Sequence, residues 1–391
     1  MILPNGWKRV KLGDVAKVTS GGTPLRTKSE YWNGNIPWIK TAQIQNRHIS
    51  LDQVDEYITE KGVEESSAKI VPKGTLLMAM YGQGKTRGQV AMLDFDASIN
   101  QACAAFHLNK SCIIVDYLHQ FFLFEYENIR NMSNSGGQKN LSAEIIKNIT
   151  IVLPPLNEQK KIAETLSVWD RAIEKTEKLI EAKEVQKKAL ISKLIEKANK
   201  SITEKKWKCL KLSDIFDETC EKNHPDADVL TIVQGIGTVL RESSGREIIY
   251  DKKSLANYKF VKEGDFIIHL RSFEGGLEVA NQDGIVSPAY IILRPKIEVS
   301  TGYLYALFHT NWFINYTISP AVEGARDGRS VKYDVLQKQT IVIPPLAEQK
   351  AVAELIATAE KELNLLKQQL DNYKNQKQGL MQKLLTGQWR V

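Results

Sequence analysis

The sequence predicts an α+β protein: two mixed α/β globular domains separated by two long helices that form an antiparallel intramolecular coiled coil. Three observations predict it. The length of 391 residues exceeds one ordinary core, since domains run to ~100–200 residues. The segment Thr150-Ile151-Val152-Leu153-Pro154-Pro155-Leu156-Asn157-Glu158-Gln159-Lys160 returns, with two substitutions, as Thr340-Ile341-Val342-Ile343-Pro344-Pro345-Leu346-Ala347-Glu348-Gln349-Lys350. Each copy is followed by a long apolar stripe with steps of four and three.

The repeat sets the organisation. At the same spacing it continues through Ala163-Glu164 and Ala353-Glu354, Gln186-Lys187 and Gln376-Lys377, and Lys193-Leu194 and Lys383-Leu384. The globular parts repeat faintly. Trp7-Lys8 and Lys11-Leu12-x-Asp14 return as Trp207-Lys208 and Lys211-Leu212-x-Asp214, and Lys69-x-Val71-x-x-Gly74 as Lys259-x-Val261-x-x-Gly264. The expected order is a first domain over 1–155, a helix over 156–200, a second domain over 201–345 and a helix over 346–391. Helices that match while globules diverge suggest one scaffold carrying two different binding surfaces.

Each helix starts after a Pro-Pro pair, because proline suits a first turn and cannot continue a strand ladder. Glu158 and Glu348 then fall at the positive end of the helix dipole. The first seam runs Ile162, Leu166, Trp169, Ile173, Thr176, Ile180, Lys183, Lys187, Leu190, Leu194; the second runs Val352, Ile356, Ala359, Leu363, Leu366, Leu370, Tyr373, Lys377, Leu380, Leu384. Three or more heptads favour a coiled coil over a lone surface helix. At ~1.5 Å per residue such a helix is ~60 Å long. An antiparallel pairing of two such helices would place the two globular domains at opposite ends of a rod. Lys183, Lys187 and Lys377 interrupt the seams; they could fix register or face a partner's groove, and the simplest expectation is that they snorkel to solvent.

In the first domain, Val10–Val18 reads as a strand or short helix and Ser20–Pro24 as a turn. Asn33-Gly34 reads as a tight turn. Gly74–Met80 and Ile99–Leu108 read as buried strands. Asp116–Ile129 reads as a helix with Leu118, Phe121, Phe122 and Tyr126 inward.

Composition excludes several classes. No apolar run approaches the ~20 residues of a membrane helix. The start shows no charged region followed by an apolar one, so no secretory signal is expected. Cys103, Cys112, Cys209 and Cys220 form no CxxC pair, and no paired histidines complete a zinc site. They read as reduced thiols of a cytoplasmic protein. The formal charge of +7 permits a polyanionic partner without demanding one. Gly82-Gln83-Gly84-Lys85-Thr86 has Ala79 where a P-loop needs glycine. Glu158-x-Lys160 and Glu348-x-Lys350 suggest the end of a nuclease motif, but helix-start chemistry accounts for them better. No Asn-Pro-Pro-aromatic, Ser-His-Asp or HExxH arrangement stands out, so no catalytic residue and no metal ligand is expected.

The run Ser20-Gly21-Gly22-Thr23-Pro24, then Tyr31-Trp32-x-Gly34-x-Ile36-Pro37-Trp38, resembles the target-recognition domains of type I restriction-modification specificity subunits. So do Tyr81-Gly82 through Gly88, Ser98-Ile99-Asn100-Gln101, and Gly137-Gln138-Lys139-Asn140-Leu141 leading into the Pro-Pro motif. The duplicated Pro-Pro-Leu-x-Glu-Gln helices resemble that family's two spacers. The second domain departs from the first. It lacks Gly-Gly-Thr-Pro and has Ser287-Pro288 in place of Asn100-Gln101.

The resemblance implies a subunit without catalysis of its own that binds double-stranded DNA at a bipartite target. Each domain would read one half-site and the helices would set the gap. It implies two methyltransferase subunits and restriction subunits as partners, and no membrane. S-adenosylmethionine, ATP and Mg would be held by those partners, with no cofactor on this chain. The candidate DNA contacts are polar residues in or beside Gly-rich or turn-rich segments. In the first domain they are Thr23, Arg26, Lys40, Gln43, Gln83, Lys85, Arg87, Gln138 and Lys139. In the second they are Gln234, Arg241, Arg246, Arg271, Ser272, Arg326, Arg329 and Lys332. Arg, Asn and Gln suit base edges and Lys suits phosphates. The rival readings are a coiled-coil adaptor without DNA specificity and a stand-alone nuclease or methyltransferase.

Overall fold

The computed structural model describes residues 3–82, 84–132, 140–196, 207–244, 252–324 and 329–391. The chain packs as two units. One comprises Met1–Glu177 with Gln369–Val391, the other Lys178–Gln368. Each long helix therefore gives part of its length to each unit.

In the first unit, β1 (Lys8–Lys11) pairs antiparallel with β11 (Thr150–Leu153) just before the Pro-Pro motif. A five-stranded sheet has the order β2 (Ala16–Ser20), β10 (Cys103–Leu108), β7 (Leu76–Ala79), β8 (Val90–Leu93), β4 (Arg47–Ile49). Its strands β7, β8 and the start of β10 are buried on both faces, which explains their continuous apolar sequence. A four-stranded sheet has the order β5 (Tyr57–Ile58), β3 (Trp32–Ile39), β9 (Ala97–Ile99), β6 (Ile70–Val71). The expected helix after β10 runs Val115–Phe124, breaks at Glu125 and resumes as Tyr126–Asn131. Leu118, Phe121 and Phe122 are buried as expected. Asn33-Gly34 makes no hairpin. It sits inside β3, where Asn33 has φ 60° and the pairing to β5 shifts register between Trp32 and Ile36. An Asn-Gly pair supplies the left-handed backbone of a bulge as readily as that of a turn. The tight approach of Gly34 to Ile58, 2.4 Å from the Ile58 carbonyl oxygen to an ideal Cβ, selects the bulge.

The second unit repeats the scaffold. β12 (Lys208–Lys211) pairs with β23 (Thr340–Ile343) in the role of β1 and β11. A four-stranded sheet follows with the order β13 (Phe216–Thr219), β20 (Ile291–Pro295), β17 (Phe266–Ile268), β18 (Glu278–Val279). β14 (Leu230–Val233) and β15 (Gly237–Leu240) form a hairpin, and β16 (Lys259–Val261) pairs with β19 (Gly284–Val286). Its main core gathers Phe216, Phe266, Phe308 and Phe313 around Leu212 and Ile341, and Val352 and Ile356 of the second long helix join it.

The first long helix spans Leu156–Ile191 and the second Leu346–Leu385. They pair antiparallel within each unit. In the first unit Glu177 meets Lys374, Asp170 meets Lys377 and Trp169 meets Tyr373 edge to face. In the second unit Lys187 meets Glu360, Lys183 meets Glu362 and Glu184 meets Lys367. The seam residues Ile162, Leu166, Ile180, Val352, Ile356, Leu363 and Leu384 are buried. Trp169, Ile173, Leu190, Leu194, Leu366, Leu370 and Leu380 are half-buried. The seam lysines do not snorkel to solvent. Lys377 is 8% exposed and sits 2.5 Å from Asp170, and Lys183 and Lys187 bind carboxylates across the seam. An acidic residue facing each position offsets the cost of drawing the ammonium out of water.

The repeated Glu-Gln is explained by what it holds. The Pro155 carbonyl accepts the Glu158 and Gln159 N–H groups, and Pro345 does the same for Glu348 and Gln349. Glu158 accepts the Trp7 indole N–H at 3.1 Å, and Glu348 that of Trp207 at 3.2 Å. Gln159, fully buried, donates to the Cys112 and Pro154 carbonyls, both at 2.8 Å, and accepts Ile114 N–H at 2.9 Å. Gln349 likewise donates to the Pro344 carbonyl at 2.8 Å and accepts Ser300 N–H at 2.9 Å. Each pair riveting a helix start to its own domain must recur wherever the scaffold recurs. Glu158 also binds Arg390, whose guanidinium holds the carboxyl below its usual range.

Candidate nucleic-acid interface

In the first unit the structure brings three of the singled-out segments together. Gly22 N–H donates to the Ile99 carbonyl at 2.9 Å and Gly21 N–H to that of Cys103 at 3.2 Å. An ideal Cβ on Gly21 would lie 1.9 Å from the Ile99 oxygen, so only glycine permits this approach. The Thr23 hydroxyl meets the Gln101 side chain, and the Trp38 indole donates to the Gly22 carbonyl at 3.0 Å. Four of the candidate residues gather on this platform. The Arg26 guanidinium lies 3.7 Å from the Trp32 ring centre, with Trp32 edge-on to Trp38. Arg26 binds Glu56 at 2.5 Å. Lys40 binds Asp55 at 2.8 Å and Glu56 at 2.6 Å, and Gln43 donates to Asp55 at 2.8 Å. Thr23, adjoining this network, completes the set.

Two cations balanced by two carboxylates form a rigid polar surface, not a bare phosphate clamp. The Arg26 bond holds Glu56 below the usual carboxylate range, and the Lys40 bond does the same for Asp55. Partial burial opposes the Lys40 charge, yet its two carboxylate bonds outweigh that and raise its pKa. At neutral pH Lys40, Asp55 and Glu56 are therefore ionised. Such preorganised donors and acceptors suit base edges. Asp55 and Glu56 were missed in the sequence. Acidic residues carry no obvious signal for a polyanion, although two adjacent carboxylates before a short strand could have been weighed.

Lys85 and Arg87 lie elsewhere in this unit, on the loop between β7 and β8. Arg87 donates twice to the Arg130 carbonyl, Arg130 donates to the Gly84 carbonyl at 2.7 Å, and the Tyr126 hydroxyl donates to that of Lys85. The Lys85 side chain is exposed. Gln83, Gln138 and Lys139 lie outside the described residues.

In the second unit Gln234, Arg271 and Arg329 converge on the short helical turn Ser272–Gly275. Gln234, at the tip of the β14–β15 hairpin, fills the space a Cβ on Gly275 would take. Arg271 is exposed at the start of the turn. Arg329 stacks 4.4 Å from the Phe273 ring centre and pairs with Glu274 at 3.6 Å. Ser272 differs from expectation. It is fully buried, and its hydroxyl accepts the His269 N–H at 2.8 Å, so it shapes the turn and presents nothing to a ligand. Arg241 lies half-buried at the hairpin base, 3.5 Å from the Tyr258 hydroxyl, and Lys332 is exposed 4.0 Å from Glu323. Arg246 and Arg326 lie outside the described residues.

Beneath this turn is a polar cluster that sequence reasoning missed. Glu278 is fully buried, and one oxygen accepts Gly235 N–H at 2.7 Å and faces His309 Nε2 at 3.1 Å. The other accepts the Tyr305 hydroxyl at 3.2 Å. Burial acts to raise the Glu278 carboxyl, but the His309 and Gly235 bonds outweigh it and hold it low; burial pushes His269 down. The cluster anchors the hairpin tip that carries Gln234. Its one sequence signal is a carboxylate inside the apolar run Leu277-Glu278-Val279-Ala280. Among the described residues, no group of three or more His, Cys, Asp or Glu could hold a metal ion, and no helix is long and apolar enough to cross a membrane.

The model of the type I restriction modification DNA specificity domain matches the chain twice, over residues 4–184 and 204–373. The chain belongs to this family. Among curated members, the MjaVIII specificity subunit of Methanocaldococcus jannaschii is 24% identical over 421 aligned positions, covering 100% of this chain and 94% of that one. The MjaIX specificity subunit of the same organism is 32% identical over 181 residues, 45% of this chain and 40% of the relative. The EcoKI specificity subunit of Escherichia coli is 23% identical, covering 100% of this chain and 91% of that one. The fold is shared with solved specificity subunits. That of M. genitalium is 13% identical with a TM-score of 0.58, covering 98% of each chain. A chain of another type I system is 16% identical with a TM-score of 0.63, covering 100% of each. Each recognition domain of this specificity-family chain thus carries its candidate contacts on a scaffold that the other repeats.

Proposed function

We propose that this chain aims a type I restriction-modification complex at a bipartite site on double-stranded DNA and performs no chemistry itself. The domain over 1–155 reads one half-site through the surface of Thr23, Arg26, Lys40 and Gln43, helped by Lys85 and Arg87. The domain over 201–345 reads the other through Gln234, Arg271 and Arg329. The helices over 156–200 and 346–391 set the unread gap. Two methyltransferase subunits supply S-adenosylmethionine and extrude the target adenine, since a base inside the duplex is out of reach. Restriction subunits supply ATP and Mg chemistry. The complex works in the cytoplasm.

The observation that carries this reading is the pairing of matched helix starts, Trp7–Glu158 and Trp207–Glu348, with unlike polar surfaces. A scaffold kept alike while its surfaces differ is what two sequence preferences require. The test is a domain exchange. Residues 201–345 are replaced by the equivalent domain of another specificity subunit, and the methylated motifs are sequenced in cells that also express the partner methyltransferase. One half of the motif should change and the other persist. Loss of both halves, or change in neither, would refute the assignment. DNA binding by the methyltransferase complex should also weaken steeply with salt, which a protein-binding adaptor would not show.

A further inference from the structure

The two long helices are built on one repeat, with Thr150 and Thr340 at equivalent places, yet their paired charges are not equivalent. Under that equivalence Glu177 corresponds to Lys367, and Glu184 to Lys374. The first helix is acidic at both positions and the second basic at both. In the structure these positions meet each other. Glu177 binds Lys374 at 2.8 Å in the first unit, and Glu184 binds Lys367 at 2.8 Å in the second. Pairing two copies of the first helix in the same register would set Glu177 against Glu184 twice. Pairing two copies of the second would set Lys367 against Lys374 twice.

Two of the remaining cross-seam pairs lack this bias. Asp170–Lys377 and Glu360–Lys187 occupy equivalent places, acidic against basic in either helix, and would form in like pairs as well. The apolar seam is similar in both helices except at the Trp169–Tyr373 contact, whose equivalents are Ala359 and Lys183. Lys183–Glu362 has no counterpart, because the equivalent residues are Tyr373 and Ala172, and a like pair would lose it without repulsion. Among the described pairs, Glu177–Lys374 and Glu184–Lys367 are those that a like pair would turn into like-charge contacts.

We propose that Glu177, Glu184, Lys367 and Lys374 are a pairing code. It makes the first long helix accept only a second long helix, of its own chain or of another copy, and refuse a copy of itself. Specificity comes from the repulsion in the wrong pair more than from attraction in the right one. The carboxylates and ammonium groups are about half-exposed, so each correct pair adds little stability alone. The code would keep the two recognition domains of one chain in an unlike pair, and so keep a two-part target asymmetric. Nothing in it depends on which DNA sequence is read.

The test uses full-length chains. The variant E177K/E184K has lysine at all four positions, and K367E/K374E has glutamate at all four. The quadruple variant E177K/E184K/K367E/K374E restores unlike pairing with the signs exchanged. Both double variants should melt below the wild type, and the quadruple variant should return to the wild-type midpoint. When differently tagged chains are co-expressed, the all-lysine and all-glutamate chains should co-purify with each other. The expected enrichment is about tenfold over tagged and untagged wild type, the scale of two exposed pairs reversed. Neither double variant should co-purify with itself. A quadruple variant that stays as unstable as the doubles would overturn the code, because the residues would then matter for reasons other than pairing. So would co-purification of the two doubles no greater than that of the wild type.

Discussion

At the scale of the residue, the informative groups are those whose neighbours decide their state. His119 lies on the Val115–Phe124 helix, buried beside Gln120, which donates to Asp170. Burial lowers its pKa from 6.5 to about 4, and nearby Asp170 only partly offsets this. Between those values the unfolded chain binds a proton that the folded chain excludes. Stability is therefore full above pH 6.5 and falls as the pH drops toward 4, by up to about 3 kcal/mol. Denaturant midpoints measured across that window should fall less in a His119→Phe chain than in the wild type; equal slopes would assign the acid sensitivity elsewhere. Sequence could mark His119 only as a lone histidine on an apolar helix. Its titration follows from how completely α and β layers cover it, which no local pattern encodes. The same limit explains Arg26 and Lys40. Their polarity beside Gly-Gly-Thr-Pro was readable, but the balancing carboxylates of Asp55 and Glu56 arrive on the segment just before β5. Ser272 shows the converse: a hydroxyl in a turn-rich segment looks available until the backbone of His269 claims it.

At the scale of the element, the long helices were the most legible part, because heptad steps survive in any sequence that buries a seam. What the seam faces was less legible. Periodicity assigned Lys377 to the buried stripe, and only the position of Asp170 on the opposing helix shows why a lysine belongs there. The bulge at Asn33-Gly34 was misread because the same dipeptide serves both turns and bulges. The helix starts offer a sharper test of the repeat. Gln159 serves three backbone groups, one buried and two partly buried, whereas its neighbour Lys160 is exposed with a 3.9 Å pair to Glu164. Gln159→Ala should destabilise the first unit by more than about 2 kcal/mol, since each stranded group costs ~1–3 kcal/mol. Lys160→Ala should stay within about 0.5 kcal/mol of wild type. Both residues recur in the repeat, so a similar cost for the two in chemical denaturation would separate recurrence from structural need.

At the scale of the whole molecule, duplication was visible in the sequence and its geometry was not. The Pro-Pro motifs mark where helices begin, but packing assigns 156–177 and 369–391 to the same unit as the first domain. A helical stripe announces an apolar face without naming what covers it. Removing one facing heptad from both helices preserves antiparallel pairing and shortens each by ~10 Å, or about three base pairs of duplex. Sequencing of methylated motifs should then report the same half-sites with a shorter gap; altered half-site bases would end the ruler account. The closing contacts of the first unit also carry a timing. Arg390 reaches Glu158, and Met381, Leu384 and Leu385 fill the core around Trp7 and Ile162. During synthesis on the ribosome the second unit, an unbroken stretch of chain, emerges entire while the first still waits for its final helical turns. The part made earliest is finished last, so a message cut short upstream of residue 369 yields a product whose opening domain is never sealed.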